Sequence, residues 1–248
     1  MPAADDVTDD AFLGGQLAIL QPTRGYRAGI DAVLLAAAAP VVAGETVIDA
    51  GAGVGVVGLA IARRVPGSRA VLIEREPVYA DLAARNIERN GLSDCVRVIE
   101  ADVIGAAPPH DMPGVADHVV TNPPYQVEGR GRPPDDPLKA SAHEMPAGSL
   151  EAWLRFCARA TRPGGRLTLI HRADALGDLL VGLENRFGGL TIRPIHPRAD
   201  APAVRVLIQG IKGSRAPLAL APPLILHDRD GGFRPDVEAV LRAGAALA

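Results

Sequence analysis

The chain has no apolar run near the roughly 20 residues needed to cross a bilayer. The longest, 32–42, is built of small residues, Val and Leu behind Asp31. Residues 1–10 are acidic and lack the basic-then-apolar order of a secretory signal. Cysteine is scarce: Cys95 and Cys157 are the only two and lie far apart, which argues against a disulfide framework. His110, His118, His143, His171, His196 and His227 show no ligand spacing, and the two cysteines offer no zinc pair, so no metal site is expected. Lysine is almost missing too, with Lys139 and Lys212 alone among 26 basic residues. These absences point to a soluble cytoplasmic protein without membrane anchor, metal or disulfide.

What is present suits an α/β domain. At 248 residues, 48% of them hydrophobic, the chain can bury one large core. Its net charge of −3 is unevenly spread. Residues 1–150 carry 12 Lys and Arg against 20 Asp and Glu, or −8, whereas 151–248 carry 14 against 9, or +5. The stretch 153–215 alone holds 11 basic and 4 acidic residues. Such a half suits a nucleic-acid surface. An Arg-, Ala- and Gly-rich usage set by genome composition gives the same numbers, and both explanations stay open.

Residues 1–15 look disordered, 16–212 form the domain, and 213–248 are expected to pack on it as an extension. A short strand is expected at 15–21 and a helix at 30–39. Strands at 46–50, 70–74, 96–100, 116–121 and 166–170 then alternate with helices ending near 64, at 77–90 and at 150–160. A helix at 176–187 and strands at 190–194 and 204–211 follow, and the tail reads as a hairpin around APPLILHD and a helix from Pro235. Alternation of this kind makes a doubly wound, mostly parallel, seven-stranded sheet covered on both faces. Ligands then bind beyond the carboxyl ends of the strands. The Pro- and Gly-rich segment 126–147 is too long for a plain connection and is a candidate lid or substrate loop.

Val47-Ile48-Asp49-Ala50-Gly51-Ala52-Gly53-Val54-Gly55 joins the first of these alternating strands to a helix. Gly51, Gly53 and Gly55 let the backbone turn sharply and let a ligand come close, and the helix aims its free N–H groups into the turn. Gly53, Gly55 and Gly58, with Glu74 downstream, also satisfy a dinucleotide fingerprint. Asp49 decides against it: an anion there repels a pyrophosphate but suits the ammonium of S-adenosylmethionine. Glu74, ending the second strand, can accept from both ribose hydroxyls, and Asp102, past the third, from the adenine amine. Three acids behind three successive strands fall on one ligand edge.

Asn122-Pro123-Pro124-Tyr125 follows the fourth strand directly. A planar NH₂ has two hydrogens to donate; the Asn122 side-chain oxygen and the Pro123 carbonyl can accept them and aim the nitrogen at a methyl group. Proline keeps the backbone extended, and Tyr125 offers a ring on which a flat acceptor can stack. In-line methyl transfer needs positioning and electrostatics rather than a metal or covalent nucleophile.

These motifs resemble the class I methyltransferases of the small, amine-methylating group, and more closely the bacterial adenine methyltransferases that modify tRNA for valine. The matching pieces are Gly25-Tyr26-Arg27-Ala28-Gly29-Ile30-Asp31-Ala32-Val33-Leu34-Leu35, the glycine motif, Asn122 to Tyr125 and Lys212-Gly213-Ser214-Arg215, across most of the chain from about Gln16. The resemblance implies a Rossmann-like fold and S-adenosylmethionine as cofactor, with an exocyclic adenine amine in tRNA as acceptor. It also implies that Tyr26, Arg27 and Asp31 help close over the cofactor, which Asn122 would also touch. Without it, 30 onward is simply a core helix. Lys212 and Arg215 are candidate RNA contacts on charge.

The glutamine methyltransferases of peptide release factors share the tetrapeptide, because a carboxamide is also a planar NH₂; they carry a helical domain before the first motif, where 46 residues precede Val47 here. A small-molecule amine is a further acceptor. A non-catalytic RNA- or partner-binding protein of the same fold is the reading from another class, and intact motifs oppose it. A nicotinamide-dependent oxidoreductase is disfavoured by Asp49 and by Asn122 to Tyr125.

Overall fold

The computed structural model describes residues 7–104, 115–124, 126–127, 144–145 and 149–247. The chain opens with a hairpin, β1 Val7–Phe12 and β2 Leu17–Pro22, and then α1 Ile30–Ala38. The winding proper is β3 Thr46–Ala50, α2 Val56–Arg64, β4 Arg69–Glu74, α3 Pro77–Arg89, β5 Val96–Glu100 and β6 Ala116–Thr121. Two short strands, β7 Gln126–Val127 and β8 Glu144–Met145, pair with each other; the rest of the expected substrate loop, and Tyr125, lie outside the described residues. α4 Ser149–Ala160 leads into β9 Thr161–Arg172, followed by α5 Leu176–Leu183, β10 Phe187–His196 and β11 Arg205–Lys212. β12 Ala219–Leu220, β13 Leu224–Ile225 and α6 Pro235–Ala243 complete the described chain.

One sheet runs β12-β10-β11-β9-β6-β3-β4-β5, with β13 also on β10. The seven strands expected from sequence form its body, and the two-residue β12 and β13 extend its edge. β11 runs against its neighbours β9 and β10, and the other pairings are parallel. Period-two alternation sorts the strands' apolar residues onto two faces. Val47, Leu72 and Val120 join the core beneath α1, α2, α3 and α6. Ile48, Ile73 and Val119 join the one beneath α4 and α5. The chain moves outward from β3 through β4 to β5, then returns to β6 on the other side of β3. That reversal opens a crevice above the carboxyl ends of β3 and β6.

Three expectations change. Residues 7–15 are ordered. β1 pairs with β2 along six positions, and Asp9 and Asp10 are ion-paired with Arg89 and Arg27. The expected 176–187 helix ends at Leu183, because Glu184 turns extended (ψ 139°) and Asn185 takes a left-handed φ of 60°; β10 then starts at Phe187. The expected hairpin around APPLILHD does not form, and the antiparallel turn of the tail, bridged at His227 and Phe233, comes after it. β12 and β13 each add in parallel to β10, separated by Pro222 and Pro223, which have no N–H to give a ladder. α6 packs on α1, and beyond it the Leu247 N–H bonds the Ala37 carbonyl at 2.9 Å.

Candidate active site

The cleft above β3 and β4 has a volume of about 660 Å³ including its open mouth. Its floor is the turn after β3, where Gly51 and Gly53 sit at φ of 75° and 55°. A Cβ on Gly51 would lie 2.6 Å from the Trp153 ring, and one on Gly53 3.4 Å from the Tyr26 ring. Glycine is therefore required at Gly51 both for its backbone and for the space. Gly55, at φ 92°, caps α2 and packs beside Leu72 and Ala83 rather than lining the cleft.

Two buried carboxyls stand behind this turn. Asp49 is 1% exposed and accepts from the Gly58 N–H at 3.0 Å. Burial pushes its pKa up to about 7; the Gly58 hydrogen bond lowers it and the Glu74 charge adds to the rise. Glu74, at the end of β4, lines the cleft and accepts from the Gly53 N–H at 2.8 Å and the Glu76 N–H at 2.9 Å. Its pKa too is raised, burial outweighing those hydrogen bonds. The Arg75 N–H donates to Glu74 as well, and three bonds on a carboxylate with about four acceptor sites still leave room for a hydroxyl donor. Asp102 also lines the cleft and is steadied by the Ile104 N–H at 2.8 Å.

Asn122, Pro123 and Pro124 leave the end of β6 along the cleft's far wall. Beneath them the Trp153 indole N–H donates to Thr121 Oγ1, and that hydroxyl to the Ala50 carbonyl, each at 2.8 Å. Sequence alone makes Trp153 a core residue. It is core, 6% exposed, yet its ring also lines the cleft beside Gly51. His171 on β9, 3% exposed, lies beside the Pro124 backbone; burial lowers its pKa, and the neighbouring Pro124 and Arg172 backbone offsets that only in part. Neither role has a sequence signal, since both depend on which strand ends meet.

The segment 23–29 brings Tyr26 over the turn. Its N–H donates to the Tyr79 hydroxyl at 2.9 Å, and its own hydroxyl is hydrogen-bonded to the Asn122 side chain. Burial holds the Tyr26 phenol well above its usual range, and the charges of Asp31, Asp49 and Glu74 add to this. Arg27 and Asp31 do not line the cleft. Arg27 reaches back to the hairpin, donating to Thr8 Oγ1 at 2.7 Å, the Pro22 carbonyl at 2.8 Å and Asp10. Asp31 pairs with Arg205 of β11 at 2.9 Å.

Lys212 and Arg215 lie far from this edge. Because β11 runs against β9 and β10, its carboxyl end falls at the opposite end of the sheet. There Lys212 Nζ donates to the Thr161 carbonyl at 2.5 Å.

A parallel sheet with one reversed strand, a glycine turn at its switch point and acids behind three successive strands defines a class I methyltransferase. Known proteins agree. The methyltransferase small domain model matches residues 28–133. A tRNA1(Val) (adenine(37)-N6)-methyltransferase of Porphyromonas gingivalis is 30% identical, with 68% of each chain covered. A 4-amino-L-phenylalanine/4-methylamino-L-phenylalanine methyltransferase of Streptomyces pristinaespiralis is 37% identical over 64% of this chain, which spans 55% of that relative. The crystal structure of a predicted O-methyltransferase from Agrobacterium tumefaciens superposes with a TM-score of 0.73 at 33% identity, covering 87% of this chain and 97% of that one. The chain belongs to the small-domain family of class I methyltransferases and is an S-adenosylmethionine-dependent methyltransferase. No helix among the described residues is long and apolar enough to cross a membrane.

Proposed function

We propose that the enzyme methylates an exocyclic adenine amine, in tRNA. The observation that carries this reading is Asn122-Pro123 at the end of β6, lining the cleft beside the glycine turn. Bound S-adenosylmethionine supplies a methyl group on a sulfonium leaving group. The buried carboxyls fit that cofactor: Asp49 would answer its ammonium, Glu74 the ribose hydroxyls and Asp102 the adenine, while Gly51 and Gly53 leave room for its backbone-close parts. The Asn122 side-chain oxygen and the Pro123 carbonyl would accept the two amine hydrogens, fix the nitrogen and raise its electron density along the line of attack. His171, buried beside the Pro124 backbone, would help hold that turn at its angle. Tyr125 would stack on the base, which must be splayed out of the folded RNA to reach it.

The names of two relatives support an aromatic amine as acceptor, since adenine N6 and 4-aminophenylalanine both carry an NH₂ on a ring. A tRNA acceptor also implies a cytoplasmic enzyme. The test is transfer of labelled methyl from S-adenosylmethionine to total tRNA, to release factor and to 4-amino-L-phenylalanine. Label in tRNA, recovered as N6-methyladenosine after digestion, is expected. Label only in release factor or the amino acid refutes the substrate and leaves the methyltransferase standing.

A further inference from the structure

A second groove, of about 1190 Å³ including its open mouth, lies across Asn122 from the cofactor cleft. Among the described residues, Tyr26 and Asn122 alone line both cavities. The hydrogen-bonded Tyr26–Asn122 pair is therefore the partition between them. The groove's walls come from the start of α1 and from the edge of the sheet, where β10 ends, β11 begins and β13 adds on. Ile30 and Val204 face each other's elements across it and are 38% and 44% exposed, although most large apolar side chains of the chain are buried. Leu226 and Ile195 are buried beside them. The Asp31–Arg205 ion pair stands at the same groove.

We propose that this groove is the acceptor site: the adenine ring seats beside Ile30 and Val204, and its amine donates to the Asn122 side-chain oxygen. This rests on the adenine reading above. Exposed apolar side chains converging beside a polar group that must hold an amine make a slot for a flat heterocycle. The cleft behind the partition is taken by the cofactor, so an in-line transfer at Asn122 requires the acceptor to approach from the other side. An open groove also admits a base that remains attached to a polymer, which a closed pocket would not. The Tyr26 hydroxyl accepts from the Asn122 amide N–H, which leaves the Asn122 side-chain oxygen to the incoming amine.

The test is Val204→Trp, which fills the slot from a position tolerant of change, with Ile30→Trp as a second filling from the opposite wall. S-adenosylmethionine binding by calorimetry reports folding and is expected to match the parent. KM for tRNA should rise by about tenfold or more in both, a loss of binding shared by ground and transition states. If the parent methylates tRNA and both variants do so with parental KM, the groove is not the acceptor site and the adenine reading stands. If the parent never methylates tRNA, the adenine occupant falls together with that reading.

Discussion

At Asn122 the chemistry reduces to whether two hydrogens find acceptors. Asn122→Ala removes one acceptor without touching the buried carboxyls. A loss of about a hundredfold in kcat with near-parental cofactor affinity is expected, as for other positioned catalytic hydrogen-bonding groups. Almost full turnover would make the motif structural. Asp49 leads to a pH effect whose sign follows from its position. With a folded pKa near 7 against an ordinary 3.8, the folded protein keeps a proton that the unfolded chain has lost across that interval. The contribution of Asp49 to stability is thus greatest below the unfolded value and declines as pH rises through 7. An ammonium ligand prefers the charged carboxylate, so binding of S-adenosylhomocysteine should tighten between about pH 6 and about pH 8, with proton release. Asp49→Asn should flatten the profile; a parent profile already flat would remove Asp49 from the cofactor's ammonium.

At the scale of elements, the turn after β3 depends on a helix distant in sequence. Gly51→Ala would set a Cβ at positive φ and 2.6 Å from Trp153. It should cost more than about 2 kcal/mol, through strain and displacement of the indole together. Chemical denaturation of both proteins measures this; a change within experimental error would mean that Trp153 moves aside freely. The glycine pattern and the strand–helix alternation were legible because they are local: TVIDA ends in glycines, and ADHVVT ends in Asn-Pro. What could not be read depends on chain direction and long-range pairing. β2 is held by α3, where Asn86 accepts from the Leu20 N–H at 2.8 Å and Asn90 from the Ala18 N–H at 3.0 Å. Two asparagines four apart on a helix thus serve a strand edge, with nothing in either segment to announce it. Pro163-Gly164-Gly165 forms a bulge inside β9, where the register jumps between Thr161 and Arg166 opposite Ala116 and His118, a pairing that no local pattern announces. The charge of Lys212 can be read from sequence, whereas the reversal of β11, which sets it at the end of the sheet away from the cleft, cannot.

Across the whole molecule, the opposite charges of the two halves partly close on each other. Arg162 pairs with Asp117, Arg166 with Glu45 and Arg205 with Asp31, each joining the basic half to the acidic one. Arg155, Arg172, Arg186, Arg234 and Arg242 pair with acids of their own half. Much of the C-terminal excess is therefore spent inside the fold, and tRNA affinity has to come from what remains. Among the described arginines of the C-terminal half, Arg159, Arg198, Arg215 and Arg229 are exposed and take part in none of the ion pairs. Arg198 follows the carboxyl end of β10 and Arg229 follows β13, which runs parallel to it, so both lie at the sheet edge that carries the cleft. Phosphate contacts release counterions, and log affinity then falls linearly with log salt at about 0.7 to 0.9 per phosphate neutralised. Replacing Arg198 and Arg229 together with Ala should weaken tRNA binding and flatten that slope by about one to two units, at unchanged S-adenosylmethionine affinity. Lys212→Ala, which removes a bond at the far edge, should leave the slope alone and lower stability instead. Filter binding over a salt series separates the two. An unchanged slope in the double variant, or a flattened one in Lys212→Ala, would move the RNA surface to the other end of the sheet.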